Sequence, residues 1–250
     1  MSALQPFHLT GPDGKLIRGD RAEGRDRQVL FITGFLSKRW GNKSKALAQW
    51  CEERGWGFCC YDVRGFGESE GSFTDYTLSD WVDDARLVVR SLKDGPPVTI
   101  TGNSLGSWIA WMMAQECASV ERLILIAPAF NMMGVRARSI SEERRHAWHT
   151  AGWMPWDDDE VHRDYPIAWK WVEESEAVWK QRFDGLRRVK TTILHGLQDT
   201  VILPQGSSQF VEELLARDPG FPIELHLIPG DHRLSGPDHM DSLKRAVFGS

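Results

Sequence analysis

Short, nearly continuous apolar runs alternate along this chain with stretches of helical spacing, and this alternation limits the folds that the chain can adopt. The first run is QVLFIT at residues 28–33, and the second is GFCCY at residues 57–61. Between them, residues 43–54 have helical spacing and Gly55 ends the stretch. Strands that are apolar on both sides and separated by helices are typical of a mostly parallel sheet with helices on both faces. The pattern therefore predicts an α/β fold.

The same alternation continues to the end of the chain. A turn sequence, GPDG at residues 11–14, predicts an N-terminal hairpin. Further strands are predicted at residues 98–101, 123–126, 192–194 and 223–227, and further helices at residues 78–92, 105–117, 205–217 and 238–248. We therefore expect a mostly parallel central sheet flanked by helices.

Residues 130–185 interrupt the alternation of strands and helices, because they contain no convincing strand. They hold half of the 12 tryptophans of the chain. We expect this segment to be a helical cap, inserted before the strand that leads to residue 199 and lying over the carboxyl edge of the sheet. Residues 1–129 and 186–250 would then form the core domain.

The tryptophans of this segment have two interpretations. They can stabilise the fold by burying a large area, or some of them can wall an apolar substrate pocket. Trp153 and Trp156 are our candidates for the pocket. The acidic run DDDE at residues 157–160 is interpreted as a solvated helix start.

Composition argues against several classes of protein. The formal net charge of −5 argues against nucleic acid as the main partner. No apolar stretch approaches the roughly 18 residues that a membrane span needs. The first residues show neither a signal peptide nor an Arg-rich transit peptide, and the four cysteines fit no disulfide framework or zinc site. We expect a cytoplasmic protein that requires no metal and no other cofactor.

The most specific motif, GNSLG at residues 102–106, lies between a predicted buried strand and a predicted apolar helix. In a G-x-S-x-G sequence the serine sits on a strained strand-to-helix turn, and the small flanking residues let the backbones approach closely. The helix N-terminus directs free N–H groups and a partial positive charge towards that serine. Ser104 is therefore our candidate nucleophile.

A nucleophilic serine needs a base, and the base needs an acid that orients it. His232 follows the last predicted strand, in the loop PGDHR at residues 229–233, on the same edge of the sheet as Ser104. Asp199 lies in the loop after the preceding strand. The chain order serine, acid, histidine is the one expected for this architecture. We predict His232 as the base and Asp199 as the acid.

Two alternatives to this assignment are weaker. His239 is the reserve candidate for the base, but it falls within the last predicted helix. Asp231 is the alternative acid, but neighbouring side chains in a loop tend to point apart, and Asp231 directly precedes His232.

An oxyanion intermediate needs backbone N–H donors. Leu105, directly after the serine, is the first predicted donor. The second is expected in the loop after the first buried strand, TGFLS at residues 33–37, where Phe35 is preferred and Leu36 is second. Leu36 is also a candidate for contact with substrate.

Taken together, these residues resemble the α/β-hydrolase superfamily, over nearly the whole chain. The resemblance rests on YDVRGFGES at residues 61–69, the motif around Ser104, LHG at residues 194–196 ahead of Asp199, and the Asp-His pair at residues 231–232. The serine argues against the haloalkane dehalogenases and epoxide hydrolases of this fold, which attack with an aspartate.

A closer resemblance is to the branch that contains the mitochondrial palmitoyl-protein thioesterase, which also hydrolyses acyl glucuronides. It rests on GFLS at residues 34–37, GNKSKAL at residues 41–47, DGP at residues 94–96 and DHRL at residues 231–234. The cap region looks much less similar.

The resemblance implies a serine hydrolase that cleaves small-molecule carboxylic esters or thioesters through a Ser-His-Asp triad. A tryptophan-rich cap favours an apolar or aromatic acyl group. The alternatives are a C–C bond hydrolase or an amidase with the same triad, a slow-turnover ligand-binding receptor, and a module whose cap aromatics dock another protein. The oligomeric state stays open.

Overall fold

The computed structural model describes residues 3–92, 94–155 and 165–249. Within these residues ten strands follow one another in chain order: β1 (Gln5–Thr10), β2 (Leu16–Ala22), β3 (Gln28–Ile32), β4 (Gly57–Tyr61), β5 (Val98–Asn103), β6 (Val120–Ile126), β7 (Trp153–Pro155), β8 (Pro166–Ala168), β9 (Lys190–Gly196) and β10 (Ile223–Ile228). The strands predicted from the apolar runs all form.

Eight α-helices lie in the same residues: α1 (Asn42–Arg54), α2 (Leu78–Ser91), α3 (Leu105–Glu116), α4 (Met132–Ser139), α5 (Glu142–Ala151), α6 (Lys170–Lys180), α7 (Gln205–Arg217) and α8 (Pro237–Phe248). A short 3₁₀ turn, Phe73–Asp75, precedes α2.

Eight of the strands form one sheet in the order β1-β2-β4-β3-β5-β6-β9-β10. The hairpin β1–β2 is antiparallel and joins β4 in antiparallel fashion, and every other neighbouring pair is parallel. Parallel strands place their carboxyl ends on one edge of a sheet, where ligands bind in open α/β folds. The predicted α/β architecture with a mostly parallel sheet is confirmed.

The central strands are buried on both faces, as their apolar runs predicted. Val29 and Phe31 of β3 pack into a cluster with Leu47 of α1 and Leu243 of α8. Leu30, the residue between them, joins the larger cluster on the opposite face. This alternation with a period of two explains why β3 and β4 read as unbroken hydrophobic sequences.

The segment between β6 and β9 holds α4, α5 and α6 together with a small sheet. Strands β7 and β8 pair antiparallel, with Trp153 opposite Ala168. The prediction that this segment contains no strand is therefore wrong. Each of the two strands has only three residues, and they carry Pro155 and Pro166, so neither shows the alternation by which a strand is recognised.

Two tryptophans of this segment, Trp148 and Trp171, are 1% exposed. The indole N–H of Trp148 donates to the carbonyl of Ile167. Trp156 and the acidic run at residues 157–160 lie outside the described residues. In the part of the chain that the structure describes, no helix is both long and apolar enough to span a bilayer.

Candidate active site

Ser104 occupies a sharp turn between β5 and α3, with φ of 53° and ψ of −120°. A non-glycine residue with positive φ is costly, and such strain gathers at functional sites. The turn is possible because Gly102 and Gly106 have no side chain. A Cβ on Gly106 would lie 2.3 Å from the carbonyl oxygens of Ile32 and Thr33, and one on Gly102 would lie 2.5 Å from the carbonyl oxygen of Gly106. The G-x-S-x-G motif thus requires glycine at both positions, because α3 lies too close to β3 and β5 for a side chain there.

Three loops at the carboxyl edge of the sheet bring Ser104, His232 and Asp199 together. Ser104 Oγ lies 3.2 Å from Nε2 of His232. Nδ1 of the same ring lies 2.7 Å from Oδ2 of Asp199. Ser104 is 7% exposed and Asp199 is 3% exposed, whereas the His232 side chain is 20% exposed. The three side chains form a continuous chain of hydrogen-bonding groups that opens to solvent at the histidine.

Asp199 is held as an anion by its surroundings. Burial by itself would raise the pKa of its carboxyl group, but hydrogen bonds from His195, His232 and the N–H of Ile202 hold the pKa well below its ordinary range. Oδ1 accepts from the N–H groups of Val201 and Ile202 at 2.9 Å and 2.8 Å. The carboxylate is therefore fixed at both oxygens.

His195 is a further residue of this site, and the sequence prediction does not include it. It is fully buried, and its Nε2 lies 3.1 Å from Oδ2 of Asp199, the same oxygen that faces His232. The sequence offered one signal that could have found it, a histidine in an otherwise apolar strand four residues before the candidate acid.

The loop that carries His232 is anchored from several sides. The Lys43 ammonium, at the start of α1, donates to the carbonyl of Arg233. Asp231 Oδ1 accepts from the N–H groups of Arg233 and Leu234, 3.0 Å and 3.2 Å away. His239 Nδ1 accepts from the N–H of Gly236, and its Nε2 lies 2.7 Å from the carbonyl oxygen of Pro229. Asp231 and His239, the two alternatives for acid and base, thus brace the loop that carries His232.

The loop after β3 lies against the turn at Ser104. A Cβ on Gly34 would lie 3.2 Å from Cβ of Ser104, so Phe35 and Leu36 follow directly at the site. Leu36 has φ of 50° and is 5% exposed. Leu105, the other predicted donor, opens α3 and is 2% exposed. Both predicted oxyanion segments thus lie next to Ser104, one directly after it in the chain and the other following Gly34.

Asp62, from the YDVRGFGES motif, fixes the far end of this loop. Its Oδ1 accepts from the backbone N–H of Arg39 at 2.6 Å, and Oδ2 accepts from the Arg39 guanidinium. Asp20 and Glu68 each lie 2.7 Å from the same guanidinium. The conformation of residues 33–40 therefore rests on a buried carboxylate and a buried cation.

The Phe35 ring connects the loop after β3 to α6. It contacts Phe73, Trp81 and Trp171, with ring centroids 5.9, 5.8 and 5.5 Å away. Trp171 in turn donates its indole N–H to the carbonyl of Tyr76 at 3.2 Å. Helix α6 is thus packed against a loop at the carboxyl edge of the sheet.

Trp153, the other tryptophan proposed for the pocket, is 44% exposed. It lines a surface depression together with Asp75, His149, Trp169 and Lys170 among others, and none of Ser104, Asp199 and His232 belongs to that lining. The second candidate, Trp156, lies outside the described residues. Neither placement tests a contact with substrate, so both stay predictions.

A metal would need a cluster of ligands. Among the residues that the structure describes, no group of three or more histidine, cysteine, aspartate or glutamate side chains is arranged to hold an ion. The arrangement at Ser104 instead fits nucleophilic chemistry assisted by a histidine.

Comparison with known proteins defines the class. The family model described as serine aminopeptidase, S33 (Hydrolase_4) matches residues 25–156, slightly more than half of the chain. The chain belongs to this family, and its sheet and flanking helices form an α/β-hydrolase fold.

Among curated relatives, the mitochondrial palmitoyl-protein thioesterase ABHD10 of Homo sapiens is 25% identical over 230 residues, which cover 90% of this chain and 73% of the relative. The mouse ABHD10 structure superposes with a TM-score of 0.84 at 23% identity, covering 97% of this chain and 96% of that one. A putative hydrolase from Agrobacterium vitis S4 also gives 0.84 at 23% identity, covering 98% and 97%. The two structural likenesses establish the fold, and the resemblance to the ABHD10 branch is confirmed.

Proposed function

We propose that this protein is a serine hydrolase that cleaves carboxylic esters or thioesters. The observation that carries the proposal is the chain of contacts from Ser104 Oγ through the His232 ring to Asp199, at 3.2 Å and 2.7 Å. The ABHD10 relatives bear the name palmitoyl-protein thioesterase, and this name favours thioesters of long acyl chains as substrates.

The proposed reaction begins with attack of Ser104 Oγ on the acyl carbon. His232 Nε2 takes the hydroxyl proton and then gives it to the leaving alcohol or thiol. Asp199, held as an anion, keeps the Nδ1–H tautomer of His232 and stabilises the imidazolium. The resulting acyl-enzyme is hydrolysed by a water molecule that His232 activates in the same way.

In this proposal the backbone N–H groups of Leu105 and Phe35 stabilise the negative charge of the tetrahedral intermediate. Leu105 opens α3, so the partial positive charge of the helix N-terminus acts on the same oxygen. The close approach of Gly34 to Ser104 supports a role for the Phe35 N–H, because Phe35 directly follows Gly34. Fixed dipoles of this kind stabilise developing charge without reorganisation.

The segment between β6 and β9 is proposed to be the cap that shapes the acyl site. The contact between Phe35 and Trp171 supports this placement, because it sets α6 beside the proposed oxyanion loop. The apolar and aromatic character of the segment favours an apolar or aromatic acyl group.

A substrate panel tests the proposal. Acetyl, octanoyl, palmitoyl and benzoyl groups are each presented as a p-nitrophenyl ester and as a thioester, with Ser104→Ala as the matched control. We expect turnover that increases from acetyl to the larger acyl groups and is lost in the variant. A preference for acetyl would contradict the apolar acyl site.

Other substrates in the same panel separate the alternatives. Cleavage confined to an aminoacyl p-nitroanilide would make the protein an amidase, and cleavage confined to a β-diketone would make it a C–C bond hydrolase. A saturable thermal shift with a single turnover would favour a slow receptor. Each of these three results contradicts ester or thioester hydrolysis as the function.

A further inference from the structure

Asp199 faces two histidines rather than one. Oδ2 lies 2.7 Å from Nδ1 of His232 and 3.1 Å from Nε2 of His195. His195 belongs to β9, four residues before Asp199, and is fully buried. It touches the same carboxylate oxygen as His232, although the proposed reaction does not use it.

The surroundings of His195 fix which ring nitrogen carries its proton. Nε2 also lies 2.9 Å from the carbonyl oxygen of Ile202. A carbonyl only accepts hydrogen bonds, so Nε2 must carry a hydrogen, which is shared between Ile202 and Asp199. On the other side of the ring, Nδ1 lies 2.7 Å from Oγ of Ser207. The Ser207 hydroxyl can donate to this nitrogen, and in that arrangement the single ring hydrogen of the tautomer is on Nε2.

The contacts close into a ring around the acid. Asp199 Oδ1 accepts from the N–H of Ile202 at 2.8 Å, and the carbonyl of the same residue accepts from His195. The turn after β9 is therefore tied to the β9 strand at both the carboxylate and the backbone. An acid held in this way cannot rotate without breaking hydrogen bonds in a buried site, where an unsatisfied group is costly.

We infer that His195 is a positioning residue for Asp199, and that Ser207 sets the tautomer in which it works. Its Nε2–H holds Oδ2 in the orientation from which that oxygen accepts the Nδ1–H of His232. In this tautomer the ring carries no charge that would compensate the carboxylate, so the carboxylate charge remains available to the imidazolium formed on His232. The inference rests on the proposed function, since it assigns His195 a role in the same triad.

A double-mutant cycle tests the inference. His195→Leu and His195→Gln are each made in the wild-type background and in the Asp199→Ala background, and kcat and KM are measured with one p-nitrophenyl ester. In the wild-type background we expect His195→Leu to lower kcat about 10- to 100-fold with little change in KM, the range found when groups that orient metal-binding side chains are removed. His195→Gln keeps an N–H donor and should restore most of that loss. In the Asp199→Ala background the leucine substitution should change kcat less than about twofold, because its target is gone.

Two further variants keep the test decisive if His195→Leu does not fold. Ser207→Ala removes the donor to Nδ1 and should lower kcat a few-fold, again only when Asp199 is present. His226→Gln, on the exposed face of β10, is the matched control and should leave kcat and thermal stability unchanged.

Different outcomes would contradict the role of His195 and the proposed triad. An equal loss of kcat from His195→Leu in both backgrounds, or full activity of His195→Leu, would overturn the inference alone. Full activity of Asp199→Ala would instead overturn the proposed triad, and the role of His195 with it.

Discussion

At the scale of single residues, the site is defined by groups whose partners leave them little freedom. Both oxygens of Asp199 accept hydrogen bonds, and these bonds keep the pKa of its carboxyl group low although the group is buried. The positive φ of Ser104 directs its side chain out of a turn that few residues adopt. Ser104, His232 and Asp199 could each be predicted from local sequence, because a motif or a strand end marks each of them.

The role of His195 could not be predicted from local sequence in this way. A histidine at the end of a buried strand is compatible with a satisfied core residue as well as with a site residue. Its contact with Ser207 depends on how α7 packs against β9, which no local pattern reveals.

The cysteines give a prediction at this scale. Burial raises the pKa of the Cys51 thiol and of the Cys59 thiol to about 12, and it raises that of Cys60 as well. Only the thiolate reacts with alkylating reagents, so these three residues should stay unlabelled by N-ethylmaleimide in the folded protein at neutral pH. Esterase activity should be unchanged by the reagent. Intact mass after labelling, compared with a sample unfolded in guanidinium, checks this. Inactivation that parallels labelling would point to a thiol in the chemistry.

At the scale of elements, the turn between β5 and α3 depends on glycine. Gly106→Ala would press a Cβ against the carbonyl oxygens of Ile32 and Thr33, 2.3 Å away. We expect a loss of about 1–3 kcal/mol in the free energy of unfolding, together with reduced turnover because α3 and Ser104 shift. Denaturant unfolding measures the first and ester hydrolysis the second.

Gly206→Ala is the matched control for this change. An added Cβ on Gly206 meets nothing within 4 Å, and the residue lies in α7. Alanine there should be neutral or stabilising by up to about 1 kcal/mol. Equal behaviour of the two variants would contradict the close approach of α3 to β3.

The anchor between α1 and the His232 loop should appear in the pH dependence of stability. Burial lowers the pKa of Lys43 from its ordinary 10.5 to about 8, although Asp231 opposes the shift. Between these two values the unfolded chain keeps the Lys43 proton while the folded protein has released it. The contribution of Lys43 to the free energy of unfolding therefore rises with pH across this window, on the order of 2 kcal/mol.

Lys43→Met should remove that rise, and Lys45→Met is the control because Lys45 is exposed on the same helix. Urea unfolding at about pH 7 and about pH 10 gives the comparison. If wild type and Lys43→Met change in parallel between these two values, the Lys43 ammonium is not buried against the loop.

At the scale of the whole molecule, one aromatic cluster joins the sheet edge to the inserted segment. Trp171 of α6 contacts Trp81 of α2 with ring centroids 4.8 Å apart, and both contact Phe35. Glu174 of α6 adds contacts to the start of α2, accepting from the N–H of Ser79 at 2.9 Å. The order of strands and helices could be predicted from the sequence, because each apolar run by itself indicates a buried strand. The packing of α6 against α2 could not be predicted, because it depends on pairs of residues nearly a hundred positions apart.

Trp171→Ala should therefore affect both stability and catalysis. Removing a buried tryptophan costs about 3–5 kcal/mol. Phe35 loses one of its supports at the same time, so we expect kcat to fall about tenfold in the folded variant through misplacement of the oxyanion loop. Trp153→Ala, at a 44% exposed position, should cost about 1 kcal/mol or less. A normal kcat in folded Trp171→Ala would show that the inserted segment does not support the site.

The central claim is that Ser104 is an activated nucleophile, and labelling with a fluorophosphonate probe tests it most directly. Wild type and Ser104→Ala are treated in parallel, and the adduct is located by intact mass and peptide mapping. The proposal predicts one adduct per chain, on Ser104, and none in the variant, whose turnover should fall roughly 10⁶-fold. Absence of labelling in the wild type, or labelling that persists in Ser104→Ala, would contradict it.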